Sequence, residues 1–389
     1  MFSRRQILHW FSSGLLLPFL PGCDQPETEL ALENLGPILP YIQNVTTESA
    51  IFLWQSSGKK VGTVEVFNEN GSLANKNTDS LTSFHEVLIT DLTPDTLYFY
   101  QVKEGSFRVG PLRSFRTAPA SDSTNPFSFI VFGDSGLGTE PQLKVASQML
   151  ALANNASFAI HTGDVVYDGY EAEYRSKYFE PYRSLIHRIP FYPVLGDHDL
   201  VDGAAAFYKF FSLPPNNHED TEDFYSFSYG NAVFVALNSN RLLGYDNVTQ
   251  LPFAEEVLGN STHTWKFIFL QHSIYTTAVG RDSKPGIGSQ VGPIAEKYGV
   301  QFVFGGDVHA YERFNARQDF TSSEEGSEVV YITSGGGGAE LRDLEGGAEA
   351  AVSKSVYHFM HVSIDDKELN ATVYDFNGNV IDTFGQTAS

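Results

Sequence analysis

A single cysteine in 389 residues excludes an intramolecular disulfide framework and any cysteine-ligated zinc or iron–sulfur site. Positive charge is also scarce. Lys and Arg number 25 against 47 Asp and Glu, for a formal charge of -22. So acidic a surface repels phosphate backbones and argues against a nucleic-acid-binding module. Small anions at a metal site remain open, because a bound cation inverts the local field. No Gly-x-Ser-x-Gly elbow marks a serine hydrolase, and there is no internal repeat. What the chain does have is apolar and aromatic. Hydrophobic residues make up 42%, enough to exclude a wholly disordered chain and, at this length, to predict two domains. The 31 Phe and 19 Tyr favour β structure.

Residues 1–23 read as a targeting segment. Arg4 and Arg5 form a positive head, and the apolar stretch Ile7 to Leu20 falls short of the roughly 20 residues of a membrane-crossing helix. Ser-Arg-Arg-Gln-Ile-Leu resembles the Tat export motif. Leu20-Pro21-Gly22-Cys23 resembles a bacterial lipoprotein cleavage box, with Pro21 an unusual choice inside it. Cys23 is then the lipidated first residue of an exported, periplasmic or cell-surface protein held to a membrane. An ordinary signal peptide with an incidental cysteine is the alternative. Residues 24–35 are polar enough to serve as a tether.

Residues 36–118 predict an all-β sandwich, with strands at Ala50–Gln55, Lys60–Phe67, Phe84–Thr90, Leu97–Lys103 and Leu112–Thr117. Trp54, and Tyr98 after Leu92-Thr93-Pro94-Asp95-Thr96, resemble the core tryptophan and tyrosine corner of a fibronectin type III domain. Residues 119–389 alternate strands and helices. A helix is expected over Pro141 to Asn154 with Leu143, Ala146, Leu150 and Ala153 on its core face, and another over Tyr170 to His187 broken near Pro181. Three hairpin-linked strands close the chain. Gly335 to Gly338 lacks the Lys-Ser/Thr of a P-loop and reads as a flexible loop near a site rim.

Chemistry concentrates where strands end. Phe132 leads into Gly133-Asp134, Ile160 into His161-Thr162-Gly163-Asp164, Leu195 into Gly196-Asp197-His198-Asp199, Leu270 into Gln271-His272, and Phe304 into Gly305-Gly306-Asp307-Val308-His309. Ligands in open α/β sheets bind at the carboxyl ends of strands. Four aspartates and two histidines converging there carry too much like charge to share a cleft without cations. Hard carboxylates with imidazoles suit Fe, Mn, Zn or Mg.

In this order the blocks Asp134-x-Gly136, Gly163-Asp164-x-x-Tyr167, Gly196-Asp197-His198-Asp199, His272 and Gly306-Asp307-x-His309 resemble those of the calcineurin-like metallophosphoesterases. Tyr167, three residues after Asp164, and the N-terminal sandwich resemble the purple acid phosphatase branch. The resemblance implies a four-layer α/β/β/α metallophosphoesterase domain with two metal ions. Asp134, Asp164, Tyr167 and His309 would hold the first, Fe(III). Asp197, His272 and Asp307 would hold the second, Mn, Fe, Mg or Zn, with Asp164 bridging. It implies a phosphomonoesterase that attacks a small phosphate ester with metal-bound hydroxide. His198 would be a hydrogen-bond donor to the phosphoryl group, with Asp199 raising its proton affinity, and Arg281 an outer phosphate clamp. A phosphodiesterase on the same centre and a degenerate metal-binding lipoprotein are the alternatives.

Two positions depart from the family. Asp197 stands where Asn is usual, and Asp307 where His is usual, so the second site gains two negative charges. Oxygen-rich ligand sets favour Mn, Mg or Ca over Zn. Arg281 and Asp282 stand where the family supplies histidines, which leaves the leaving-group acid unassigned.

Overall fold

Alternating apolar residues between Ile38 and Phe115 leave one face of each strand unable to stay in water, and the chain folds them against each other. The computed structural model describes residues 36–244, 248–321, 326–347 and 349–388, so the expected leader and tether lie outside it. The first five strands are β1 (Ile38–Gln43), β2 (Ala50–Phe67), β3 (Leu73–Ile89), β4 (Leu97–Glu104) and β5 (Phe107–Arg116). The segments expected as separate strands at Ala50–Gln55 and Lys60–Phe67 are one strand. β2 and β3 form a long hairpin whose register shifts between Gln55 and Lys60. Its first half pairs with β1 and its second with β4, so a single bent ribbon serves both halves of the sandwich. Phe52, Trp54, Val64, Val66, Tyr98, Tyr100 and Phe115 fill the space between. Gly62 is required there, since a Cβ would stand 2.2 Å from the Trp54 ring. The Tyr98 hydroxyl accepts the Thr93 N–H at 2.9 Å, closing the expected corner.

The remaining strands build two sheets. One contains β6 (Phe127–Phe132), β7 (Phe158–His161) and β8 (Phe191–Pro193) in parallel, extended by the antiparallel β16 (His358–Asp365), β17 (Glu368–Asp375) and β18 (Val380–Thr387). The other runs β15 (Ala350–Lys354), β13 (Tyr311–Phe314), β14 (Val330–Ser334), β12 (Phe302–Gly306), β11 (Trp265–His272), β10 (Ala232–Ala236), β9 (Tyr225–Tyr229). Alternation within the central strands sorts the layers. Phe234, Phe267, Phe269, Phe302 and Phe304 belong to the core between the sheets. Val233, Val235, Ile268, Leu270 and Val303 belong to the core under the outer helices. Phe129 meets Phe234 edge-on at 5.2 Å across the sheet gap. Much of the phenylalanine excess is this inter-sheet filling, and the result is the expected α/β/β/α stack.

Of the two expected helices one differs in its buried face and the other is interrupted where expected. The helix at Glu140–Leu152 buries Gln142, Val145, Ala146 and Met149, while Leu143 and Leu150 are exposed, so its core face is rotated from the expected one. The second helical stretch breaks before Pro181, with a wide turn at Arg175–Phe179 between Glu171–Tyr174 and Glu180–Ile186. Pro181 has no N–H to give the Lys177 carbonyl, and the Gln142 side-chain amide donates to it instead at 2.6 Å. Residues 335–338 are not a loose rim loop. They are buried, and Gly337 N–H donates to the Gly133 carbonyl at 2.9 Å.

Candidate metal centre

Asp134 follows β6, Asp164 follows β7, and Asp307 follows β12, each at a positive φ of 55°, 52° and 64°. That left-handed turn directs each carboxylate back over the strand ends, and aspartate is among the few residues that tolerate it. The neighbouring glycines clear the space. A Cβ on Gly196 would lie 2.0 Å from Asp164 Oδ1, and one on Gly306 would lie 2.5 Å from Asp134 Oδ2. Asp134 is fully buried, and its two oxygens both accept the Asp307 N–H at 3.1 Å. Burial, and then the charges of Asp164 and Asp307, hold its carboxyl well above the usual range. Burial and the neighbouring Asp199 and Asp197 do the same to Asp164, whose Oδ1 accepts the His198 N–H at 3.1 Å.

The imidazoles are oriented by their outer nitrogens. His309 Nδ1 donates to the Glu340 carbonyl at 2.6 Å, which turns Nε2 to within 2.8 Å of the Tyr167 hydroxyl and 3.7 Å of Asp134 Oδ1. His272 Nδ1 stands 2.8 Å from Ser239 Oγ, leaving Nε2 for the cleft. Burial pushes both imidazoles below their ordinary value. Burial and four surrounding carboxylates raise the Tyr167 phenol, so it is neutral unless a cation offsets them.

Asp197, exposed at the lip, receives the Gln271 amide at 2.8 Å while its own N–H donates to Gln271 Oε1 at 2.9 Å. Burial would raise it, but the Gln271 bond and the His198 and His272 rings prevail and its carboxyl lies below the usual range. Ligand-type atoms of Asp164, Asp197 and His198 lie within 4.8 Å of one another, and so do those of Asp197, His272 and Asp307. These two candidate metal-binding clusters share Asp197. Hard oxygens with imidazole nitrogens, set among buried like charges, fit two hard or borderline divalent or trivalent cations.

The three residues expected to act on the phosphoryl group are placed differently. His198 Nδ1 donates to the Tyr167 carbonyl at 3.0 Å, and its ring lies 4.5 Å from that of Tyr167. Asp199 does not orient it. Fully buried, Asp199 accepts the N–H groups of Val165, Val166 and Gly196 at 3.1, 3.2 and 3.1 Å and the Tyr174 hydroxyl at 2.8 Å. Burial still raises it to about 6 against those bonds. It is a clasp joining the Asp164 turn to the Asp197 turn. Arg281 reaches the site, with one guanidinium nitrogen 3.2 Å from Asp307 Oδ1. His161 lies behind the site, 2.9 Å from Ser135 Oγ. Sequence alone does not single out Gln271 and Ser239; the one signal it offers is that Gln271 directly precedes His272.

Residues 127–311 match the family profile described as calcineurin-like phosphoesterase. The chain is 28% identical over 306 residues to purple acid phosphatase 13 of Arabidopsis thaliana, covering 66% of this chain and 54% of that protein. It is 27% identical over 291 residues to purple acid phosphatase 15 of the same plant, covering 65% and 53%. The chain thus spans about half the length of these curated relatives. Its fold superposes on a purple acid phosphatase from yellow lupin (Lupinus luteus) seeds with a TM-score of 0.79 at 17% identity, over 90% of this chain and 74% of that one.

Proposed function

We propose that this chain, which has a purple acid phosphatase-like metallophosphoesterase fold, is a metal-dependent phosphomonoesterase. What supports the proposal is the gathering of carboxylates and imidazoles at the carboxyl ends of both sheets: Asp164, Asp197 and His198 form one cluster within 4.8 Å and Asp197, His272 and Asp307 another, with Asp134, Tyr167 and His309 joined to each other beside them. Asp134, Asp164, Tyr167 and His309 would hold the first cation, Fe(III), and Asp197, His272 and Asp307 the second, Mn, Fe, Mg or Zn, with Asp164 available to both. Such a pair supplies Lewis acidity and an acidified water for in-line displacement at phosphorus.

The protein's own groups do the rest. Glu340, Ser239 and Gln271 fix the rotamers of His309, His272 and Asp197, so the site is preorganised. His198, tied to Tyr167 through Nδ1, has Nε2 to hydrogen-bond a phosphoryl or leaving oxygen. Arg281 offsets one of the two charges added by Asp197 and Asp307 and presents its remaining N–H groups to the outer phosphate oxygens. That offset favours a dianionic monoester over a monoanionic diester. The site belongs to a protein exported and held at a membrane by lipid on Cys23.

Loading the metal-free protein with Fe, Mn, Zn and Mg in turn and assaying matched aryl phosphate monoester and diester tests the proposal. Monoester turnover that disappears in Asp164→Asn is expected. Preference for the diester makes it a phosphodiesterase. Absence of turnover with every metal makes it a degenerate binding protein.

A further inference from the structure

The sandwich differs in charge from the rest of the chain. Residues 36–118 hold seven Lys and Arg against eight Asp and Glu, where the whole chain holds 25 against 47. Three of those cations, Lys59, Lys60 and Arg108, gather at one end. There Val61 pairs with Leu81, Gly62 with Glu104, and Glu104 with Phe107, while Gly105 N–H donates to the Val61 carbonyl at 3.1 Å. The same end exposes Phe107 (79%), Leu81 (64%) and Val61 (44%), and Phe107 is the most exposed large apolar side chain among the described residues.

Two nearby acids, Glu104 and Asp79, have partners on the inner side. Glu104 Oε1 accepts from Trp54 Nε1 at 3.3 Å and Ser56 Oγ at 2.5 Å. Asp79 lies 3.5 Å from His85 Nδ1 and accepts the Ser80 N–H at 2.7 Å. Outward, this end presents apolar side chains beside the exposed Lys59 and Lys60, while Arg108 borders a groove it shares with Lys103, Glu65 and Glu69. The chain also enters the sandwich beside it. Arg175 bonds both the Gly36 carbonyl and the Gln55 side chain, and Ile38 pairs with Gln55, four residues before Lys59. Twelve residues lie between Cys23 and Gly36, a reach of at most about 45 Å.

We propose that this end of the sandwich docks on an anionic lipid bilayer. Phe107 and Leu81 enter the interfacial zone, and Lys59, Lys60 and Arg108 face the headgroups. The acidic remainder of the chain is repelled by the same surface, so docking also orients the molecule.

Residues 36–389 form one compact unit holding every described strand and helix. The test therefore uses the chain from Asp24, free of the apolar leader and of Cys23. It is sedimented with vesicles of phosphatidylcholine, alone or mixed with phosphatidylglycerol. Binding confined to the mixed vesicles and reversed by salt is expected. Each cation replaced by Gln should lower the partition coefficient about five-fold, and Phe107→Ser should lower it with the cations intact. All are exposed positions, so unchanged melting is expected alongside. No binding, equal binding to both vesicles, or variants that bind like the parent overturn the proposal. Absence of vesicle binding together with a dimer that Phe107→Ser dissociates assigns the surface to a second copy of this chain instead.

Discussion

The Arg281 guanidinium lies 3.2 Å from the Asp307 carboxylate, so the residue that adds negative charge to the second cluster is faced by a cation from a neighbouring loop. A metal ion held by Asp197, His272 and Asp307 would compete with that guanidinium for the same oxygen. Replacing Arg281 with Gln should therefore have two effects of opposite kind. Divalent cation affinity of the second cluster should rise about two- to five-fold, the scale of a partly exposed ion pair. KM for an aryl phosphate should rise as well, because an outer oxygen loses its partner. Calorimetric titration with Mn and steady-state kinetics read the two separately. No change in either would place Arg281 outside the site's chemistry.

Tyr167 is held neutral by burial and four carboxylates, and its hydroxyl rests 2.8 Å from His309 Nε2. Only a strongly polarising cation reverses that preference. The metal-free protein should be colourless, the ferric protein violet to pink, and the ferric Tyr167→Phe variant colourless with iron still bound. A visible band that survives in Tyr167→Phe would assign the colour to another group.

Clustered acids strain the metal-free fold. Asp134 is fully buried beside the charges of Asp164 and Asp307, and all three sit at positive φ. Asn tolerates that backbone and still accepts the Asp307 N–H, so Asp134→Asn removes charge without adding strain. The metal-free variant should be more stable than the metal-free parent by on the order of 1–3 kcal/mol, and should lose tight metal binding. Urea unfolding with and without metal measures both. A less stable metal-free variant would mean the carboxylate is compensated by something other than a cation.

Much of this centre is legible in the sequence because each ligand-type residue follows an apolar strand, and the glycines at 133, 163, 196 and 306 advertise the close approach the turns need. Asp199 is the instructive exception. Its place beside His198 invites a catalytic role, yet two of its three amide partners, Val165 and Val166, lie more than 30 positions away and become its neighbours only when β7 and β8 pair. The merged β2 and the rotated face of the 140–152 helix have the same origin. Bending of a ribbon and the choice between Leu143 and Val145 are settled by what packs above them, not by local period.

His358 carries a pH signature independent of the metal. Buried completely, it is lowered to about 4, by burial against a bond to the Val356 carbonyl, and lies 3.1 Å from Ser334 Oγ. Its folded value lies below the unfolded 6.5, so its share of stability is whole above that pH. It is lost as acid protonates the unfolded chain first. His358→Gln does not titrate, so the stability gap between parent and variant should narrow by roughly 2 kcal/mol between about pH 7 and about pH 5. A gap that stays constant with pH would mean His358 is protonated in the fold.

The central claim is that this acidic edge holds two cations, and anomalous diffraction from metal-loaded crystals, collected at the Fe and Mn edges, tests it most directly. Two peaks about 3.5–4 Å apart are expected. One should lie among Asp134, Asp164, Tyr167 and His309, and the other among Asp164, Asp197, His272 and Asp307 with Arg281 displaced from Asp307. A single peak with Arg281 still paired to Asp307, or none, would contradict it.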